Sequence, residues 1–177
     1  MLFRSPNINT AARHIGFVLQ ANGTTMADIY RVHLVVEPAA ARMVAEKARK
    51  TAPAILRRCI EECRAAIDDD FAFGIATARF RNTLIELANV PVLTLLMGML
   101  NHIFELAWGT LTATAGQQLD NAPDKRRGLR SLEKLVEYIE QGDGPGAEEH
   151  WHRHTEAVEK TMSKWLPAAK VVDILDE

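Results

Sequence analysis

The sequence predicts an all-α protein, an antiparallel bundle of about six or seven helices, and three observations carry that expectation. Apolar residues recur every three to four positions through most of the 177-residue chain, the period of one helix face. Helix-start and helix-stop residues punctuate that period, among them Thr25 with Asp28 three positions on, Pro53 and Pro91 in first turns, and glycines where the period lapses. No β-hairpin signal and no internal repeat interrupts the pattern.

Composition sets the outer bounds. A chain that is 47% hydrophobic and 25% charged, at this length, reads as one soluble globular domain with a substantial core. A net charge of −2 excludes a global basic field for nucleic acid or an acidic membrane. The two cysteines, Cys59 and Cys63, stand four apart in a helical pattern and make no disulfide framework, so a reducing, cytoplasmic setting is the default. The first ten residues lack the apolar core of a signal peptide. Val92 to Trp108 is the most apolar stretch, but it contains Asn101, His102 and Glu105 and falls short of the ~20 apolar residues a membrane span needs. A helix apolar nearly all round is read here as the buried centre of the bundle.

In chain order, residues 1–6 read as a tail or linker remnant. A first helix, capped by Asn7 or Asn9, runs to about Ala21 with Ile15, Val18 and Leu19 on its apolar side, and Asn22-Gly23 closes it. The helix from Thr25 to Ala48 is the one the others are expected to pack around. Its inward face is read as Ile29, Val32, Val36, Ala40 and Val44, and Pro38 predicts a kink or break because it lacks a backbone donor. Thr51-Ala-Pro53 starts a third helix with Ile55, Leu56, Cys59, Ile60 and Cys63 inward. The triplet Asp68-Asp69-Asp70 suits the positive end of a fourth, whose stripe is Phe73, Thr77, Phe80, Leu84 and Leu87. Pro91 opens the apolar helix to about Thr114, and 116–122 is a loop. A helix from about Asp124 carries Leu129, Leu132, Leu135, Val136 and Ile139. Residues 141–146, Gln-Gly-Asp-Gly-Pro-Gly, form the clearest break. The last long helix carries Ala147, Trp151, His154, Val158, Met162 and Trp165 and ends at Pro167, leaving Val171 to Leu175 as a docked segment or frayed tail. The domain division expected is 1–23 for the linker remnant and first helix, 24–167 for the bundle, and 168–177 for the tail.

The phrase DIYRVHLVVEPAAARMVAEKA (28–48) resembles the start of the C-terminal effector domain (FCD domain) of FadR-type regulators in the GntR superfamily, whose pattern is L-Y-x-x-R-x-x-L-E-P-x-A-A-x-x-A. ATARFRNTLIELANVPVL (76–93) is similar to that family's D-x-x-F-H-x-x-L-x-x-x-x-x-N-P-x-L signature, and the likeness extends through LRSLEKLVEYIEQGD (129–143) to the closing helix. Residues 8–27 resemble the segment joining the family's winged-helix domain to this bundle. The resemblance implies a dimerising domain that senses a small-molecule effector in a transcription regulator. It places the DNA-binding domain upstream of Met1, so that this chain alone would meet no operator DNA.

Many members of that family hold a divalent metal through an aspartate and a histidine on one helix and a histidine on each of the last two. Carried over, those places are Thr77, Arg81, Leu132 and His154, so only the last ligand is kept; arginine does not lose its proton to become one. The resemblance therefore implies a lost metal site and no cofactor. The family's arginine on the opening helix is replaced by His33. The residue patterns, taken alone, also direct Thr77, Leu132, His154 and His33 inward from four helices, with Arg81 one turn from Thr77. These five are the candidate ligand-binding residues. Arg81 would supply a fixed positive charge for an anionic ligand, Thr77, His154 and His33 would add hydrogen bonds, and Leu95, Met97, Met99, Phe104 and Trp108 would surround an apolar remainder such as a fatty acid or acyl thioester. The competing reading sends Arg81 to the surface to pair with an acid, leaves His33 as an ordinary core or interface histidine, puts His150, His152 and His154 on a solvated face, makes Cys59 and Cys63 small core residues, and leaves Lys125-Arg126-Arg127 in solvent.

An enzyme is not expected: the chain has no Gly-rich phosphate loop, no G-x-S-x-G elbow, no H-E-x-x-H and no paired-cysteine metal motif. A metal-dependent bundle enzyme using His150 and His154 is one alternative. A structural dimerisation module with a filled core near Arg81 is another.

Overall fold

A computed structural model describes residues 8–115 and 122–165. Among the described residues seven helices follow one another: α1 (Ile8–Ala21), α2 (Met26–Lys47), α3 (Ala52–Ala65), α4 (Asp70–Leu87), α5 (Pro91–Ala115), α6 (Ala122–Gln141) and α7 (Gly144–Trp165). The protein is an all-α bundle, as the periodicity predicts.

Local chemistry sets the helix ends. Thr25 caps α2 in a reciprocal box, its Oγ1 accepting from the Asp28 amide at 3.2 Å while its own amide donates to Asp28 Oδ2 at 3.0 Å. Asp69 caps α4 by accepting from the Ala72 amide at 2.9 Å. Asn89, with φ of 56°, turns the chain from α4 into α5 in the left-handed region that asparagine tolerates. Between α6 and α7 the glycine-rich break shrinks to Gly142 and Asp143: Gly142 sits at φ of 72°, and Gly144-Pro145-Gly146 already forms the first turn of α7. The loop expected at 116–122 lies outside the described residues but for Ala122, which starts α6. Pro167 and the 171–175 segment also lie outside them.

The centre of the bundle is α2, which packs on α4, α5, α6 and α7 and most extensively on α7. It runs unbroken through Pro38, so the break expected there is absent. Its buried face is also turned from the one the apolar residues suggest. Ile29, Tyr30, His33, Glu37, Ala40, Ala41 and Val44 are inside, whereas Val32 is exposed and Val36 half-buried. Spacings of three and four connect these buried positions into one stripe, and two polar residues occupy its middle.

Around α2, the core takes Leu56, Cys59, Ile60 and Cys63 from α3, with Ile55 left exposed, Phe80, Leu84 and Ile85 from α4, Leu135 and Ile139 from α6, and Ala147 and Trp151 from α7. The Phe80 and Trp151 rings meet at 5.8 Å, a contact of the tilted kind worth about 0.5–1.5 kcal/mol beyond the area it buries. Burial pushes the Cys63 thiol up to about 12, which keeps it an inert core residue. On the far side, Ile15 and Leu19 of α1 pack on Met26, Ile29 and Ile103, while Val18 faces solvent. The apolar helix α5 is not the buried centre: Met97, Met99 and Ile103 are inside, but Val92, Leu95 and Leu96 are 68%, 52% and 47% exposed.

Candidate ligand-binding site

Glu37 organises the site. It is wholly buried on α2, and three helices supply its partners. Arg81 of α4 donates from Nε to Oε1 at 2.7 Å, and Trp151 of α7 donates from Nε1 to Oε2 at 2.9 Å. His33, one turn back on α2, brings Nδ1 to 2.7 Å from Oε1 and 2.6 Å from Arg81 Nη2. The Arg81 guanidinium, 12% exposed, also lies over the rings of Tyr30 at 5.2 Å and Phe104 at 6.0 Å, where the π faces help offset its lost hydration. Burial alone would raise the Glu37 carboxyl, but the Arg81 charge, with the His33 ring beside it, outweighs burial and holds the group at about 2. A buried, ionised Glu37–Arg81 pair with neutral neighbours is the result.

Beside this pair is a cavity of about 410 Å³ between α4, α6 and α7. Thr77, Arg81, Leu132 and His154 all line it, together with Tyr30 and Phe104. Four of the five sequence-predicted residues are thus brought together. The fifth, His33, does not line it; it stands behind Glu37 in the core. Thr77 is partly committed, its hydroxyl lying 3.0 Å and 2.9 Å from the carbonyls of Phe73 and Gly74. His154 stacks on the Trp151 indole at 4.4 Å. Burial, with Arg81 and His150 adding to it against Glu37, lowers its pKa to about 4, so it presents a neutral imidazole. Burial likewise pushes the Tyr30 phenol far above its usual range, which keeps it a neutral hydroxyl.

Several expectations change here. Arg81 does pair with an acid, but in the interior rather than at the surface. Of the five residues expected around an apolar ligand, only Phe104 lines the cavity; Met97 lies in another groove, Leu95 is exposed, Met99 is core, and the Trp108 side chain lies outside the described residues. The apolar lining comes instead from Phe73, Leu132 and Val158. Lys125 is not in solvent either: its ammonium donates to the Ile67 carbonyl at 2.8 Å, pairs with Asp70, and lies 5.7 Å from the Phe73 ring at the cavity rim.

The divalent-metal places that the resemblance implies hold different chemistry here. A buried guanidinium already paired with Glu37 stands at one ligand place, and no group of three His, Cys, Asp or Glu suited to a metal forms among the described residues. A nucleophile is not prepared here either. The Ser131–His150 pair at the cavity wall has Nε2 2.9 Å from the Ser131 carbonyl, so that nitrogen is a donor and cannot take the hydroxyl proton 3.2 Å away.

The fold has a known counterpart. A GntR protein of Streptococcus agalactiae superposes with a TM-score of 0.63 at 15% sequence identity, over 77% of this chain and 58% of that one. The present chain therefore spans somewhat more than half the length of that protein, and the likeness is one of fold. A comparison with curated proteins gave no significant match. The model of the FCD domain matches residues 28–157, and the chain belongs to that family, the effector-sensing domain of GntR-type transcription regulators. Among the described residues no helix is long and apolar enough to cross a membrane.

Proposed function

We propose that this domain senses a small organic anion with an apolar body, held in the cavity between α4, α6 and α7 with its charged group on Arg81. The observation that carries the reading is the open cavity beside a buried arginine. Nε and Nη2 of Arg81 are engaged inward by Glu37 and His33, and among the described residues Nη1 has no hydrogen-bond partner. Tyr30 and the neutral His154 add polar contacts at the same end, while Thr77 and Leu132 line the wall. His33 serves the ligand through Glu37 and Arg81 rather than by touching it. A purely structural dimerisation module would have a filled core at this place, and the cavity speaks against that alternative.

Volume narrows the ligand. A dry 150 Å³ cavity accommodates benzene, roughly 25 Å³ per non-hydrogen atom, so this cavity suits on the order of 16 such atoms. A free medium-chain carboxylate or an aromatic acid meets that size, whereas a whole acyl-coenzyme thioester would have to project from it.

Native mass spectrometry of the purified chain, followed by identification of released molecules, is the direct test, with a thermal-shift screen of carboxylates beside it. The expected outcome is a stoichiometric organic acid, whose affinity falls about 10- to 100-fold in a folded Arg81→Met variant, the loss of one charge-assisted bond. A retained transition metal, or an acid that binds Arg81→Met unchanged, would refute the reading.

Dimerisation is part of the same proposal, and the apolar face of α5 is its natural seat. Val92, Leu95 and Leu96 form a contiguous exposed patch on a helix whose other side is core. Light scattering after gel filtration should find a dimer for the native chain and a helical monomer for Leu95→Glu/Leu96→Glu. Operator DNA would be met through a separate winged-helix domain, not by this bundle of net charge −2.

A further inference from the structure

Resting on the ligand reading above, we infer that the site takes up its anion together with one proton, which lodges on His33 Nδ1 against Glu37 as the ligand draws the Arg81 guanidinium toward the cavity. The argument starts from charge. The inner end of the cavity holds one carboxylate, Glu37, and one guanidinium, Arg81, and is balanced before any ligand arrives. An added monoanion leaves a net negative charge in the bundle interior, where charges are poorly solvated. A proton from solvent restores the balance: ligand and Glu37 negative, Arg81 and His33 positive.

His33 is placed to accept that proton. Its Nδ1 lies 2.6 Å from Arg81 Nη2 and 2.7 Å from Glu37 Oε1, and these contacts make opposite demands. Arg81 is always a donor, so its contact calls for a lone pair on Nδ1, and the free site is assigned this tautomer, with the ring proton on Nε2. That atom is fully buried and has no hydrogen-bond partner among the described residues. When a ligand carboxylate held by Nη1 draws Nη2 across to its second oxygen, Nδ1 is freed to carry a proton and donate it to Oε1. Around the cluster α2 contributes Tyr30 and Glu37, α4 Arg81, α7 His154 and Glu159, and α5 the uncharged Phe104. Burial and then Arg81 lower the His33 pKa against the opposing pull of Glu37, so removing the Arg81 contribution raises it. Because binding takes up a proton, affinity falls as pH rises, by about tenfold per unit between the low free-state and the raised bound-state pKa.

The test needs no ligand to begin. Nitrogen-15 imidazole spectra of the native chain at pH 7 should show His33 neutral with its proton on Nε2. In Arg81→Gln it should be an imidazolium at pH 7, and in Arg81→Gln/Glu37→Gln neutral again. A native His33 that carries its proton on Nδ1, or that is already charged, overturns the inference, and this holds even if the variants do not fold. A neutral His33 in folded Arg81→Gln overturns it too. With sodium dodecanoate as probe, calorimetry in phosphate and in Tris at pH 7 should give one proton taken up per molecule bound, and none in His33→Gln; binding without uptake refutes the inference. Failure of dodecanoate to bind strikes the proposed ligand class, and the histidine spectra still decide the switch.

Discussion

Replacing Glu37 with alanine is expected to lower the unfolding free energy by about 3–5 kcal/mol, the cost of breaking a buried ion pair from one side. The substitution strands the Arg81 guanidinium in the interior and leaves Trp151 Nε1 without its acceptor. Against a typical total of roughly 5–15 kcal/mol, that is enough to leave the variant marginal at 37 °C. Because the cost is that of an unmatched charge, removing both charges is milder. The double variant Glu37→Ala/Arg81→Met should be more stable than the sum of Glu37→Ala and Arg81→Met by a coupling energy of about 1–3 kcal/mol, with the ligand affinity still lowered as in Arg81→Met alone. Urea midpoints followed by far-ultraviolet circular dichroism measure all four states. A Glu37→Ala midpoint within experimental error of the native one would mean that the Glu37–Arg81 pair does not form in solution.

A second large effect is an acid transition that begins well above the carboxylate range. His154 is depressed from 6.5 to about 4 in the folded chain, so between those values the unfolded chain binds the proton first. Stability is therefore full above pH 6.5, declines as pH falls, and by pH 4 has lost roughly 3 kcal/mol through this group alone. His33, also depressed, acts with the same sign. Glu37, held at about 2, contributes in a lower window: its stabilisation is present above 4.5 and disappears between there and 2. Denaturant midpoints across pH 4–8 should show the upper window, and His154→Phe should flatten it except for the part that His33 contributes. Equal midpoints at pH 7 and 5 in the native chain would contradict a half-buried His154 held neutral in the fold.

The helices were legible because their signals are local. Caps, prolines and the three-to-four-residue period need no knowledge of what lies across the bundle, and α1 to α7 fall close to where those signals put them. The face of α2 was not legible by the same rule, since a count of apolar residues passes over His33 and Glu37 in favour of Val32 and Val36. A polar residue in the core is stable only when something distant completes it, and its partner Arg81 is 44 positions away. A signal was nevertheless present: an acid in the α2 stripe and a base beside the α4 stripe, each among apolar neighbours. Family resemblance expects arginine at position 33 and histidine at position 81, and here the two are exchanged. Both side chains reach the same Glu37 oxygen, so an arginine on either helix neutralises it. Tyr30 was missed because an aromatic on a helix face reads as plain core until a cavity is seen beside it. α5 was misplaced because apolar composition measures what a helix can bury, not how much of it this chain covers.

The bond from Trp151 to Glu37 spans 114 positions, and α2 finds its largest neighbour in α7, the last of the described helices. Such distant pairings raise the contact order above that of a bundle of neighbouring hairpins, and slower folding is expected. During synthesis α2 must wait, its buried acid already made, until more than 100 further residues have followed; until then Glu37 lacks its indole partner, and the α2 surface that α7 covers stands open to chaperones and to other chains.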